Sequence, residues 1–293
     1  MSTRTRLLWP LLACLACEAG AAPPVAPAPV AARAPAPAPT EVAAPAPQPA
    51  PAANSGYRKA AGVEYLEILH VPPGTPKEKI PAADAELPLL VAIHGRGDTP
   101  EDFKDLVDAL PVAVRLIVPR AFDPLPDGGW SWFPIRARSA DLEALARGID
   151  AANDRLAAMI AELLKSRPTR GLAIVTGFSQ GGMLSFSLAT DHPELIAAAV
   201  PVGGWLPPPL WPKTLPKGHV PKIVALHGEV DQVVRYAPTR EAVDALKKQG
   251  WPVTLQSFAD VAHAIPVPVR RALLDELRRA LPASPEPTPP EAP

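Results

Sequence analysis

The stretch from Gly171 to Ala189 constrains this chain more than any other: Gly-Leu-Ala-Ile-Val-Thr-Gly-Phe-Ser-Gln-Gly-Gly-Met-Leu-Ser-Phe-Ser-Leu-Ala. Gly171 to Thr176 carries a short apolar core with β-branched Ile174 and Val175, which reads as a buried strand. Met183 to Ala189 is apolar with two serines and reads as a helix. A strand must therefore turn into a helix across Ser179, where three glycines, Gly177, Gly181 and Gly182, replace side chains with bare backbone.

The same alternation extends over most of the chain. Strand patterns occupy Tyr65 to Val71, Leu87 to Ile93, Val114 to Val118, Leu172 to Thr176, Ala198 to Val202, Ile223 to Leu226 and Val253 to Phe258. Helical patterns occupy Ser139 to Ser166, Gln180 to Asp191, Thr239 to Gln249 and Val267 to Leu281. Nearly continuous apolar strands alternating with helices imply an α/β architecture: a mostly parallel sheet with helices on both faces. Function in such sheets collects in the loops at the carboxyl ends of the strands.

Both termini differ in kind from this middle. Of 42 prolines, 12 fall in residues 1–56 and 6 in residues 282–293. Residues 18–56 hold only Glu18, Arg33 and Glu41 as charges among Ala-Pro repeats. With almost no large apolar side chain to bury, such a segment cannot offset its chain entropy and is expected to be an extended tether. The folded unit is therefore expected over residues 57–281, with a Pro-rich tail at 282–293.

Residues 1–17 read as an export signal, with Arg4 and Arg6 ahead of an apolar run from Leu7 to Ala16 that is too short to span a bilayer. Leu11-Leu12-Ala13-Cys14 and Cys14-Leu15-Ala16-Cys17 each resemble the end of a bacterial lipoprotein signal. Cys17 or Cys14 is then the expected lipid anchor, with the tether holding the domain clear of a membrane; cleavage near Ala19-Gly20-Ala21 is the alternative. Either cut sends the chain out of the cytoplasm, and neither leaves a thiol in the folded unit, because these are the only 2 cysteines. Loss of Arg4 and Arg6 leaves 27 basic against 30 acidic residues. A weakly acidic chain without a basic run lacks the electrostatic footprint of a nucleic-acid binder.

The glycines around Ser179 give it a chemical reading. A nucleophilic serine has to be pushed into solvent on a strained backbone, and side chains two positions before and after it would collide with the neighbouring strand and helix. Gly177-Phe178-Ser179-Gln180-Gly181 is such a nucleophile elbow, and the helix that follows points its free amides and dipole toward the serine. A serine of ordinary acidity also needs a base and a group that orients the base. Of the 6 histidines, His263 follows the last strand, whereas His192 reads as a helix terminator and His219 lies in a proline-rich connection. The orienting acid is best sought after the penultimate strand, where Asp231 stands; Glu229 and Asp260 are its rivals. Ser179, Asp231 and His263 follow the chain order of α/β-hydrolases.

At this point the domain resembles the carboxylesterase and acyl-protein thioesterase family of α/β-hydrolases, often called the phospholipase/carboxylesterase family. The resemblance covers most of Leu87 to Leu281 and rests on "AIHGRGD" (92–98), "WSWFPI" (130–135), "GFSQGG" (177–182), "LHGEVDQVV" (226–234) and "AHAI" (262–265). It implies an α/β-hydrolase without a large cap domain, a Ser179-Asp231-His263 triad, and neither metal nor organic cofactor. It further implies an oxyanion hole from the backbone amides of Gln180 and Arg96, and an acyl groove lined by Trp132 and Phe133, with burial of these two aromatics in the core as the alternative.

Three positions depart from the family pattern. Arg96 is charged where the second oxyanion residue is usually apolar, Gln232 replaces a proline, and Ala262 replaces a glycine. None removes a catalytic atom. Arg96 leaves two options open: a guanidinium that favours an anionic substrate, or one that projects into water. The expected activity is serine carboxylesterase action on small or polymer-linked acyl esters. Exported esterases of polysaccharides or polyesters, and a non-catalytic tethered binding domain, are the alternatives.

Overall fold

A computed structural model of the chain describes residues 56–282. The export-type segment, the tether up to residue 55, both cysteines and the tail beyond Pro282 lie outside the described residues. Along the chain run β1 (Arg58–Ala60), β2 (Val63–His70), β3 (Leu89–Ile93), α1 (Pro100–Phe103), β4 (Val114–Pro119), β5 (Asp123–Pro124), β6 (Trp130–Ser131) and α2 (Leu142–Ser166). They are followed by β7 (Ala173–Phe178), α3 (Gln180–Asp191), β8 (Ile196–Val202), β9 (Lys222–Gly228), α4 (Tyr236–Lys248), β10 (Val253–Phe258) and α5 (Val267–Ala280).

Eight strands make one sheet in the order β1-β2-β4-β3-β7-β8-β9-β10. The hairpin β1-β2 and the pair β2-β4 are antiparallel, and every later pairing is parallel. The hairpin turns on Ala61 and Gly62, both at positive φ, as a two-residue connection between right-twisted strands requires. β5 and β6 form a separate two-stranded ribbon ahead of α2.

Period-two alternation divides the core between the two faces of the sheet. Leu89, Val91 and Ile93 of β3 join the cluster beneath α2, α3 and α4, whereas Leu90 and Ala92 join the cluster beneath α5. α2 turns Leu145, Ile149, Leu156, Ile160 and Leu163 inward at helical spacing, and Asp141 caps it by accepting from the Ala144 amide at 2.8 Å. This cap explains why the helix begins at Leu142 and not at Ser139: a residue whose side chain bonds the N3 amide has left helical backbone.

α3 is buried on all sides from Gln180 to Thr190. Its hydroxyls are satisfied inside the helix, Ser185 by the Gly181 carbonyl at 2.8 Å and Thr190 by the Phe186 carbonyl at 3.2 Å, so an apolar helix carries serines without leaving polar groups unpaired. Buried against β7 and β8, α3 has no freedom to tilt, and its N-terminus is fixed at the carboxyl rim of the sheet. Among the described residues no helix is long and apolar enough to cross a membrane.

Candidate functional site

β3, β7, β8, β9 and β10 run parallel, so the loops after all five open at one rim. Ser179 lies between β7 and α3 with φ 57° and ψ −115°, a conformation that costs a non-glycine residue on the order of 1–3 kcal/mol. The strain is held by two backbone bonds: the Ser179 amide donates to the Val202 carbonyl, and the Met183 amide to the Ser179 carbonyl, both at 3.0 Å. The flanking glycines make the approach possible. A Cβ at Gly181 would stand 1.9 Å from the Ile93 carbonyl oxygen, and one at Gly177 would stand 2.5 Å from the backbone of Gly181. The collisions that glycine avoids are therefore with the end of β3 as well as with the turn's own helix.

The loop after β10 brings His263 to this serine. Its Nε2 is 2.9 Å from Ser179 Oγ and its Nδ1 is 2.7 Å from Asp231 Oδ2. The ring stacks on Phe178, with centroids 4.6 Å apart and planes inclined by 30°. Gly203, at φ 55°, passes so close that a Cβ there would meet Phe178 at 3.1 Å and His263 Cε1 at 3.6 Å.

Asp231 sits in the turn after β9, with its side chain 1% exposed. Its Oδ1 accepts from the amides of Val233 and Val234 at 2.8 and 2.9 Å, which leaves Oδ2 for the imidazole. Burial alone would raise this carboxyl. The nearby His227 ring, whose Nε2 meets the Val234 carbonyl at 2.8 Å and comes within 3.5 Å of Oδ2, the His263 hydrogen bond and charge, and the Val233 amide outweigh burial and hold Asp231 well below the ordinary carboxylate range. The rivals are elsewhere: Glu229 accepts from the Ser257 hydroxyl at 2.6 Å in an exposed position, and Asp260 is exposed.

The loop after β3 closes the other side. A Cβ at Gly95 would stand 3.5 Å from Ser179 Cβ, so this loop touches the serine, and Arg96 follows with its side chain exposed to solvent. Gln180 opens α3, at a position where a backbone amide has no acceptor within the helix. Its side chain turns inward: Nε2 donates to the Phe133 carbonyl at 2.8 Å, and Oε1 accepts from the Trp132 amide at 3.0 Å.

Those bonds correct one expectation. Trp132 and Phe133 are 2% and 1% exposed and lie in the core instead of lining an open groove. The reason is local. Gln180 pins their backbone, and the Trp132 indole donates inward to the His94 carbonyl at 2.8 Å.

His94, within the AIHGRGD segment, is a structural hub. Its Nε2 accepts from the Ala121 amide at 3.3 Å, so Nδ1 carries the proton given to the Gly95 carbonyl at 2.7 Å. Burial lowers its pKa, although the Gly95 carbonyl pulls the other way. The neutral ring thus ties the loop beside Ser179 to the end of β4. The signal that pointed to it was its position directly after a strand and before Gly95. His227, which stands at a strand end before Gly228, shares that signal, whereas Phe178 acts only through its neighbours in space. Among the described residues no group of three or more His, Cys, Asp or Glu is arranged to hold a metal ion.

Comparison with known proteins identifies the family and the fold. A family model described as Phospholipase/Carboxylesterase matches residues 77–278. NocK of Nocardia uniformis subsp. tsuyamanensis, whose name assigns it provisionally to the esterases, is 30% identical over 241 residues, 79% of this chain and 64% of that protein. The chain thus spans less than two thirds of that relative's length. Acyl-protein thioesterase 1 of Mycosarcoma maydis is 29% identical over 188 residues, 55% of this chain and 75% of the relative. The crystal structure of esterase PE8 superposes with a TM-score of 0.61 at 23% identity, covering 75% of this chain and 99% of that one, a likeness that shows the α/β-hydrolase fold.

Proposed function

The chain belongs to the phospholipase/carboxylesterase family of α/β-hydrolases, and from that premise we propose that it is a serine carboxylesterase acting through Ser179, His263 and Asp231. Asp231 accepts the Nδ1 proton of His263, which leaves the Nε2 lone pair facing the Ser179 hydroxyl. As Ser179 Oγ attacks the ester carbonyl, His263 takes its proton, and the resulting imidazolium is stabilised by Asp231. His263 then gives that proton to the departing alcohol, and the acyl group stays on Ser179. Water repeats the sequence: it loses a proton to His263, attacks the acyl-enzyme and releases the acid, with the proton returned to Ser179.

The tetrahedral oxyanion of each step is held by the backbone amides of Gln180 and Arg96. One such donor typically contributes about 3 to 4 kcal/mol to lowering the barrier. The strained backbone of Ser179 serves this chemistry by presenting Oγ away from the strand and toward the imidazole.

The observation that carries the reading is the position of His263, within hydrogen-bond distance of a hydroxyl on one side and a buried carboxylate on the other. The test is hydrolysis of p-nitrophenyl butyrate by wild type and Ser179→Ala, together with labelling by a fluorophosphonate probe. Wild type is expected to turn over the ester and to be labelled at Ser179. The variant is expected to lose label and to lose activity by several orders of magnitude. A Ser179→Ala protein that cleaves the ester as fast as wild type would overturn the assignment.

A further inference from the structure

Beside the segments that carry Ser179, Asp231 and His263 lies a concavity of about 190 Å³. Its walls come from three segments. Arg138, Ser139 and Leu142 lead into α2, Trp205 follows β8, and Arg235 precedes α4. Each segment is tied to the site. The Arg138 guanidinium donates to the Gln232 carbonyl at 2.9 Å, one residue from Asp231. Trp205 lies two residues beyond Gly203, whose backbone packs against His263. Arg235 adjoins Val234, whose amide holds Asp231 Oδ1.

The chemistry of the walls is uneven. Leu142, Trp205 and Pro238 are apolar, whereas Arg138 and Arg235 bring two exposed positive charges. The carbonyl that Arg138 meets is neutral and leaves its charge uncompensated. Arg235 has no hydrogen-bond or ion-pair partner among the described residues. Arg235 is also the N-cap of the 13-residue α4, whose first turn contains no acidic residue and whose cap position makes no side-chain bond, so the positive end of the helix dipole adds to the two guanidiniums. The acid in the adjoining segment, Asp141, already accepts from the Ala144 amide at 2.8 Å.

Size limits what can enter. Pockets that enclose a whole drug-sized ligand start at about 300 Å³. A smaller concavity holds an end group with a few carbons. Planar guanidinium forks match a carboxylate better than any neutral polar group.

We propose that this concavity is a specificity subsite for a carboxylate carried by the ester substrate, with Arg138 and Arg235 as its charged contacts and Leu142 and Trp205 as the apolar walls for the carbons beside it. The proposal rests on the triad reading given above and adds to it the substrate class: esters that bear a negative charge away from the scissile bond.

The test compares matched esters on the full-length protein at low salt. Mono-p-nitrophenyl adipate and suberate carry the carboxylate on the acyl side, with p-nitrophenyl hexanoate and octanoate as neutral counterparts; 4-carboxyphenyl butyrate carries it on the alcohol side, against phenyl butyrate. At least one carboxylate ester is expected to exceed its counterpart about tenfold in kcat/KM, through a lower KM. Arg138→Ala with Arg235→Ala should remove that advantage and leave the neutral esters within about twofold, and raised ionic strength should shrink it in wild type. No preference for any carboxylate ester, or a preference that survives both replacements, would overturn the subsite. Calorimetric binding of suberate and octanoate esters to Ser179→Ala protein separates this idea from the catalytic one, because it needs no turnover. Tighter binding of the suberate ester that vanishes with the two arginines supports the subsite even if the catalytic reading has failed, and equal affinities sink it.

Discussion

Two buried carboxylates, Asp231, the acid of the proposed triad, and Glu67, differ in what their partners can do. Glu67, in the middle of β2, has a side chain 6% exposed and meets three guanidiniums: Arg115 at 2.7 Å, Arg58 at 3.0 Å and Arg167 at 3.1 Å. Burial would raise its pKa, but the hydrogen bonds of Arg167 and Arg115 and the charges around it bring it below the ordinary value. Asp231 is equally enclosed and shifted the same way. The partners make the difference. Arg115 meets Glu67 through Nη1 and donates from Nη2 to the Ala83 and Ala85 carbonyls, while its buried Nε has no partner among the described residues, so the clasp joining β1, β2, β4 and the end of α2 leads to no reactive group. An imidazole has a second nitrogen, and that of His263 faces Ser179. On the proposed mechanism, a carboxylate serves chemistry when its partner can pass the effect onward, and fold when its partners carry a permanent charge.

Substitutions at the two acids should separate these roles. The largest effect is expected for Asp231→Asn, which keeps an oxygen for the Val233 and Val234 amides but no longer enforces the imidazole tautomer; kcat/KM on p-nitrophenyl butyrate should fall about 10⁴-fold, with a melting temperature close to wild type. A loss of activity that merely tracked unfolding would collapse the distinction. Glu67→Gln should do the reverse. Unpaired buried cations cost about 3 kcal/mol or more, which lowers the melting temperature by roughly 6 to 12 °C for a domain of this size, while turnover per folded molecule stays near wild type.

Acid sharpens the contrast further. Both carboxyls have lowered pKa values in the folded state, so the unfolded chain takes up protons first as pH falls. Their stabilising contribution is complete above the ordinary glutamate value of 4.5 and is lost as pH drops through the folded values. Urea unfolding between pH 5 and pH 3 should therefore show a shallower decline of stability for Glu67→Gln than for wild type; equal slopes would mean that Glu67 is not held by its arginines. The smallest effect is expected for Arg58→Ala. That side chain is 56% exposed, and removing its arm of the clasp should cost under about 1 kcal/mol in the same measurement.

The same two regions show what was legible in the sequence. The parallel core could be read because Leu89 to Ile93 and Leu172 to Val175 are continuous apolar runs, and the elbow because its glycines lie within five residues of each other. Asp231 could be ranked above Glu229, which reads equally as a solvated loop charge, and above Asp260, which is close enough to His263 in sequence to share one exposed turn with it, and it is Asp231 that the structure brings to His263. The Glu67 clasp could not be read, since two of its three arginines arrive from 48 and 100 residues away and nothing in their local sequence marks them. β1 was missed for a related reason. Arg58 and Lys59 are exposed, and only pairing with β2 makes them a strand. The burial of Trp132 and Phe133 depends on the Gln180 side chain, so a groove was expected where the chain is tied down.

The carbonyl of Ile93 occupies the space in which residue 181 would carry its first side-chain carbon, and the turn itself fills the corresponding space at residue 177. Any laboratory selection for altered substrates would meet two kinds of ground in this molecule. Variants at 177 and 181 should be eliminated whatever the substrate supplied, whereas exposed positions such as 138 and 235 can vary freely. New specificities would arise by redecorating the rim around a turn that cannot itself change.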